Sequence, residues 1–294
     1  MNTAKTVNLY ANSVLVYITA SVWSARRLDK RATKQLNEQA QADPTAANVS
    51  KHLLATADKQ LKAIHACVQK ARRAVVDNSL PWDDAGNRIV SNAQCLKLVG
   101  EFAQVKRDFM QLVDEFIEAY PTLREEAMTA LGDMADPEDY PPAEELRYKF
   151  ALRMTMSPVA DSFLSEKRNE LTGEQSQIFE EHYKAAMRGN QGRALEEAWS
   201  RLREHVKNLR ARLEPDDKGT YSRLRDSTVD NLRETCRALK SMNVFGDPAL
   251  DSMCDEVYRE LAVTDAKALR NSSDAAMRTA ARADAIVAKL QGFM

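Results

Sequence analysis

One segment, Ser79-Leu80-Pro81-Trp82-Asp83-Asp84-Ala85-Gly86-Asn87-Arg88, concentrates more turn chemistry than a connector needs. Pro81 removes a backbone donor, and Gly86 opens positive φ. Asp83, Asp84 and Asn87 can bond their own backbone, and Trp82 supplies a large apolar anchor. The segment lies between two helical stretches, so it reads as a rigid, packed loop of the kind that carries function on a fixed scaffold. No catalytic constellation accompanies it. If the chain has a site, the loop's Trp82, Asp83, Asp84 and Arg88 are the first interaction candidates, and Tyr140 is the next.

Elsewhere breakers are scarce. Nine Gly and nine Pro in 294 residues, with few aromatics, favour helices over a β-sandwich. Residues 13–23 (SVLVYITASVW) are rich in Val, Ile, Tyr and Thr and read as a strand. Residues 26–30 then turn toward polar helix or loop. After the break at Asp43-Pro44-Thr45, a helix is expected to run to about Val76. Its stripe is Val49, Leu53, Leu54, Ala57, Leu61, Ile64, Val68 and Val75. A second long helix is expected over Asn92–Ala119, with Leu96, Val99, Phe102, Val105, Phe109, Leu112, Phe116 and Ile117 inward. Tyr120-Pro121 ends or kinks it. A short helix, Leu123–Leu131, then stops at Gly132. An extended turn covers Asp136 to Pro142, and a helical turn covers Ala143–Tyr148.

In Lys149–Pro158 the side chains of Phe150, Leu152, Met154 and Met156 alternate with period 2, which predicts a second strand. Its obvious partner is 13–23, giving a small sheet that joins distant parts of the chain. From 159 onward the chain reads as helix, with breaks at 189–192, 214–219, 246–248 and near 262–265. Two stripes follow, Leu195-Trp199-Leu202-Val206-Leu209-Leu213 and Leu224-Val229-Leu232-Cys236-Leu239. They suit a bundle core or an antiparallel hairpin better than a coiled-coil seam. The Ala-rich tail, Asp265–Ala288, is a weakly apolar helix, either mobile or an oligomer contact. The fold class expected is therefore mainly α: a long antiparallel helical bundle with a small two-stranded or slightly larger sheet. Its regions are 1–158 and 159–294, or one continuous domain.

The formal net charge of −1 hides an asymmetry. Residues 23–73 hold 11 Lys and Arg against 4 Asp and Glu, whereas 101–147 hold 4 against 13. The two regions either pair or are solvated faces. Alternatively the basic one is a surface for nucleic acid, with Arg26, Arg27, Lys30, Arg31, Lys34, Arg72 and Arg73 as phosphate contacts. His52, His65, His182 and His205 have no metal-ligand spacing, and neither HExxH nor ExxH occurs. Gly189-Asn190-Gln191-Gly192-Arg193 faintly resembles a phosphate-binding turn but reads better as a cap and restart. Asp83 and Asp84 with Asp136, Glu138 and Asp139 could chelate Mg²⁺, although such acids are also what caps and Asx-turns need. No catalytic residue, metal or cofactor is therefore assigned, and a non-enzyme is favoured.

Cys67, Cys95, Cys236 and Cys254 are widely spaced without CxxC, consistent with reduced thiols. The N-terminus does not read as a signal peptide, and no run approaches the ~20 apolar residues of a membrane helix. A cytoplasmic location off the membrane is expected.

Several short motifs occur in collinear order: Ser21-Val22-Trp23-Ser24, Lys51-His52-Leu53-Leu54, Leu80 to Arg88, Glu138-Asp139-Tyr140-Pro141, Phe150 to Pro158 with Asp161 and Phe163, and Asn243 to Pro248. This order resembles an uncharacterised family of tailed bacteriophages and bacterial mobile elements, over about Ser13 to Leu261. The family has no established activity, so the resemblance transfers no catalytic residue. It implies a gene neighbourhood with a MoxR-type AAA+ ATPase and a von Willebrand A-type protein, and hence a shared assembly in the host cytoplasm. Ala25 stands where the pattern has Gly. The function expected is protein–protein interaction or self-assembly, with a protein partner or a homo-oligomer. The alternatives are a nucleic-acid-binding accessory protein and, more remotely, a metal-dependent hydrolase on the acidic turns.

Overall fold

A computed structural model describes residues 9–55, 58–159, 173–217, 219–221 and 223–293. Among them the chain begins α1 (Leu9–Asn12), β1 (Ser13–Ser21), β2 (Arg26–Leu28), α2 (Lys30–Gln39), β3 (Ser50–His52) and α3 (Asp58–Asp77). There follow β4 (Leu80–Pro81), β5 (Arg88–Ser91), α4 (Asn92–Leu131), α5 (Ala143–Leu146) and β6 (Ala151–Pro158). The rest is α6 (Gly173–Arg212), α7 (Asp226–Met242), α8 (Pro248–Leu261), α9 (Ala266–Asn271) and α10 (Ser273–Leu290). The protein is mainly α with two small sheets, of order β4-β5-β1-β6 and β2-β3. The two expected strands, β1 from its Val, Ile, Tyr and Thr content and β6 from alternation, are neighbours in the larger sheet. The turn-rich segment closes the β4–β5 hairpin, with Leu80 opposite Ile89 and Pro81 opposite Arg88. Pro81 is tolerated because β4 is an edge strand, where a missing donor leaves no ladder bond unmade.

Contacts divide the chain into two compact units. The first gathers the described parts of Met1–Tyr17, Val75–Leu98 and Thr155–Met294; the second gathers Ile18–Ala74 and Val99–Met154. Each has its own apolar core. In the first unit, α6 packs against α7, α8 and α10. Both predicted stripes are buried there, from Trp199 to Leu213 and from Leu224 to Leu239, with Leu195 at the margin. The Ala-rich tail belongs to this core rather than lying loose. Ala276, Ala283, Ile286 and Leu290 of α10 are buried, because small side chains let that helix approach α6 and α8 closely.

In the second unit, α4 contributes Phe102, Val105, Phe109, Val113, Phe116, Tyr120, Leu123 and Ala127 to the core, at steps of three and four. Leu61, Ile64, Val68 and Ala71 of α3 pack in the same cluster.

Several expectations are corrected. The helix from about 44 begins only at Asp58, because the preceding backbone is already engaged elsewhere. Arg26 faces His52 and Leu28 faces Ser50 across β2–β3, Asp29 N donates to Val49 O, and Asn37 Nδ2 donates to Pro44 O at 2.9 Å. Ala57 of its stripe lies outside the described residues, as do Asp161 and Phe163. The chain stays helical through Pro121, so 92–119 and 123–131 are one helix; buried Tyr120, Leu123 and Ala127 anchor the turns around the missing bond. The expected inward face holds at Phe102, Val105, Phe109 and Phe116 but fails at its N-terminal end, where Leu96 is 83% exposed and Leu98 is buried instead. No break occurs at Gly189–Gly192, where α6 runs on with open space around both glycines. The turn after α6 does form, with Asp216 Oδ1 accepting from Thr220 N at 2.8 Å and Gly219 at φ +72°. Lys218 there is outside the described residues. Asp247 caps α8 ahead of Pro248.

Candidate functional site

The hairpin lies in the first unit and is held from both sides. Asp83 accepts from Asn87 N (3.0 Å) and Asn87 Nδ2 (2.8 Å), while Trp82 N donates to Asn87 O (2.9 Å). Gly86 takes φ +88°, and a Cβ there would lie 3.2 Å from the Tyr17 ring, so the turn needs glycine twice over. Trp82 is 3% exposed and stacks on Phe245 at 6.4 Å. Asp84 points out, with its side chain 96% exposed, and pairs with Arg193 at 3.1 Å.

Arg88 and Ser79 of the same segment belong to a polar cluster whose other members, on α6, no local motif announces. Arg88 donates from Nε to Ser79 Oγ (2.7 Å) and from Nη2 to Ser79 O (3.1 Å). Burial, then the like charge of Arg201, push its guanidinium down to about 10, against Glu197. Arg201 pairs with Glu197 at 2.9 Å and donates to Val76 O at 2.9 Å. Its Nη2 is buried with no partner among the described residues. Burial lowers the His205 imidazole, opposed by Glu204.

Tyr140 belongs to the second unit. Its hydroxyl donates to Leu53 O at 2.8 Å, its ring lies under Arg124, and burial pushes its phenol up. Beside it, Lys51 and Asp139 form an inward ion pair of 2.6 Å, joined by Arg27 at 3.3 Å. The hydrogen bond to Asp139 raises the Lys51 ammonium further. Tyr120 donates to Pro141 O at 2.9 Å and edges onto Trp23; burial pushes it up to about 12.

Basic and acidic segments thus meet at Arg27 and Lys51 with Asp139, and at Lys70 with Asp108 (3.8 Å). Lys34 pairs along α2 with Glu38. Among the described residues, Arg26, Lys30, Arg31, Arg72 and Arg73 are exposed and carry no ion pair.

Two further features of the second unit have no counterpart in the motif reading. A cavity of about 430 Å³ opens beside β2–β3, lined by Ser24, Ala25, Arg26, His52 and Leu54 and by Leu61, Lys62 and His65 of α3. Only the i, i+3 step from Lys62 to His65 hints at it in the sequence. On α4 a shallow depression of about 570 Å³ follows the outward face from Ala103 to Glu118. Among the described residues no three His, Cys, Asp or Glu side chains are grouped to hold a metal, and no helix is long and apolar enough to cross a membrane. No family model, curated protein or solved structure matches this chain.

Proposed function

We propose that the protein is a non-enzymatic interaction protein of a tailed-bacteriophage or mobile-element system, working in the host cytoplasm by self-assembly beside an AAA+ ATPase. On this reading the long helices form an antiparallel bundle scaffold. The observation that carries it is the outward face of α4 in the second unit. Val99 (39% exposed) and Met110 (38% exposed) interrupt an otherwise charged surface, with Ala103 half-buried between them. Exposed apolar side chains in register on one helix face suit a partner helix.

The charges favour a second copy as that partner. Arg107 precedes Gln111 by four residues and Glu115 follows it by four. Two α4 helices crossing antiparallel about Gln111 therefore place each Arg107 opposite the other copy's Glu115. Such a contact is self-complementary, as two-fold symmetry requires. Sedimentation velocity across a wide concentration range tests it. The expected result is a monomer–dimer equilibrium that Met110→Asp shifts fully to monomer without loss of helicity. A monomer at every concentration, or a dimer indifferent to Met110→Asp, would remove the reading.

Nucleic-acid binding is the second reading, favoured by the unpaired cations Arg26, Lys30, Arg31, Arg72 and Arg73. Phosphate contacts release counterions, so binding must then fall steeply with salt. Salt-insensitive or absent binding of DNA and RNA would end it.

A further inference from the structure

A hollow of about 530 Å³ lies in the first unit, where α6 ends and the chain returns to begin α7. Its lining is Asn208, Ala211 and Arg212 of α6 with Arg223 and Arg225 of the returning segment. Ala211 and Arg212 follow Asn208 by three and four residues, so the helix offers them on one face. Three guanidiniums therefore surround the space and no carboxylate lines it. None of Arg212, Arg223 and Arg225 has an ion pair among the described residues. The flanking acids are engaged elsewhere. Glu214 pairs with Arg210 at 3.3 Å, Asp216 accepts from Thr220 N at 2.8 Å, and Asp226 pairs with Arg270 at 3.0 Å. Asp217 does not line the hollow.

The donors are positioned in advance. Arg212 donates from Nε to Asn208 Oδ1 at 2.8 Å and from Nη1 to Arg223 O at 3.1 Å, which fixes its plane and ties helix to returning segment. Because Asn208 accepts through Oδ1, its Nδ2 is left as a donor. Leu224 is buried, so Arg223 and Arg225 on either side of it emerge together on the outward side. Arg270 Nη1 holds that stretch from behind by donating to Leu224 O at 2.9 Å. The Arg225 side chain makes no bond to the first turn of α7 and stays available.

We propose that this hollow binds consecutive phosphoryl groups, with Arg212, Arg223 and Arg225 as the donors. A guanidinium presents a rigid fork of N–H groups that matches phosphate oxygens, and such charge-assisted bonds are about twice as strong as neutral ones. A lone carboxylate would balance one of the three charges and leave most of the donors unused. Linked phosphates supply both the charge and the row of acceptor oxygens, and the volume lies within the range of small-molecule sites. The groups can come from a free polyphosphate or from the backbone of a nucleic-acid strand.

Calorimetric titration of the full-length protein at about 0.1 M salt tests this, using inorganic tripolyphosphate, inorganic orthophosphate and a single-stranded oligonucleotide as probes. Saturable binding of tripolyphosphate is expected, about tenfold or more tighter than that of orthophosphate. Arg223→Ala/Arg225→Ala should weaken it by about tenfold or more, since two charge-assisted contacts are lost. Lys184→Ala/Arg188→Ala removes the same charge from the other end of α6 and should leave the affinity within about twofold. Arg188 precedes Arg212 by about 36 Å of helix, well beyond the Debye length of about 10 Å. An oligonucleotide that binds more tightly than tripolyphosphate, and loses binding in the Arg223/Arg225 variant, identifies a nucleic-acid backbone as the source. Weaker oligonucleotide binding identifies a free polyphosphate. No saturable binding of tripolyphosphate, orthophosphate binding as tight as tripolyphosphate, or equal weakening in both double variants would overturn the site. Circular dichroism of both variants separates loss of binding from loss of fold.

Discussion

The β4–β5 hairpin in the first unit and the β2–β3 pair in the second solve the same problem in opposite ways. Both bring extended backbone beside a long helix. In the hairpin almost every polar group is satisfied internally: Asp83 by Asn87, Arg88 by Ser79, and Trp82 by stacking on Phe245. In β2–β3 the backbone is satisfied and Arg27 and Lys51 pair with Asp139, whereas Arg26 carries no ion pair among the described residues. Arg26 and His52 stand beside a cavity, and Ala25 holds a conformation suited to glycine. Rich turn chemistry therefore marks where a chain must be held still. The strand pair instead leaves Arg26 and His52 beside open space.

The sharpest way to break that comparison is Trp82→Ala. If the hairpin is an internal anchor, the variant should lose about 3–5 kcal/mol in denaturant unfolding, as large buried aromatics do. A loss below about 1 kcal/mol would put Trp82 outside the range of core aromatics and make the hairpin an accessory. Next is Asp139→Asn in the second unit, which leaves the inward Lys51 ammonium without its main partner. A loss of about 3 kcal/mol is expected, because an orphaned buried charge costs more than the pair contributes.

The units should also differ in their response to pH. Tyr120 and Lys51 have raised values in the second unit, so its stability is complete below their ordinary ranges. It is lost as pH rises from about 10 to about 12, where the unfolded chain gives up protons first. His205 in the first unit is lowered, so that unit loses stability as pH falls below about 6.5. Hydrogen exchange measured at both extremes should show the second unit opening in alkali and the first in acid, and His205→Gln should flatten the acid limb alone. The smallest effect sharpens the β2–β3 side. Ala25→Gly relieves the left-handed strain, offset by greater freedom in the unfolded chain, and should stabilise by roughly 0.5 kcal/mol. Destabilisation by the same amount would mean that the buried methyl matters more than φ.

Strong periodicity made much of this structure legible. The alternation of Phe150, Leu152, Met154 and Met156 foretold β6, and the Leu224–Leu239 stripe foretold α7. β2 and β3 were not legible, since three residues of Arg-Arg-Leu and Ser-Lys-His carry neither alternation nor β-branching. Pro121 was misleading because tertiary burial on either side outweighs a local breaker, and the two glycines of α6 because a glycine in a helix interior costs only about 1 kcal/mol. The hairpin residues were found by composition, but the donors around the cavity were not found as a group. They lie on separate elements, and only the pairing of Arg26 with His52 unites them.

The outward face of α4 bears the functional account, and disulfide trapping of Gln111→Cys tests it most directly. Gln111 lies on the proposed two-fold axis, so mild oxidation should yield a covalent dimer rapidly. The unmodified protein and Met277→Cys, a similarly exposed position on α10, should not do so. A dimer from Gln111→Cys no faster than from those two controls would contradict self-assembly through α4.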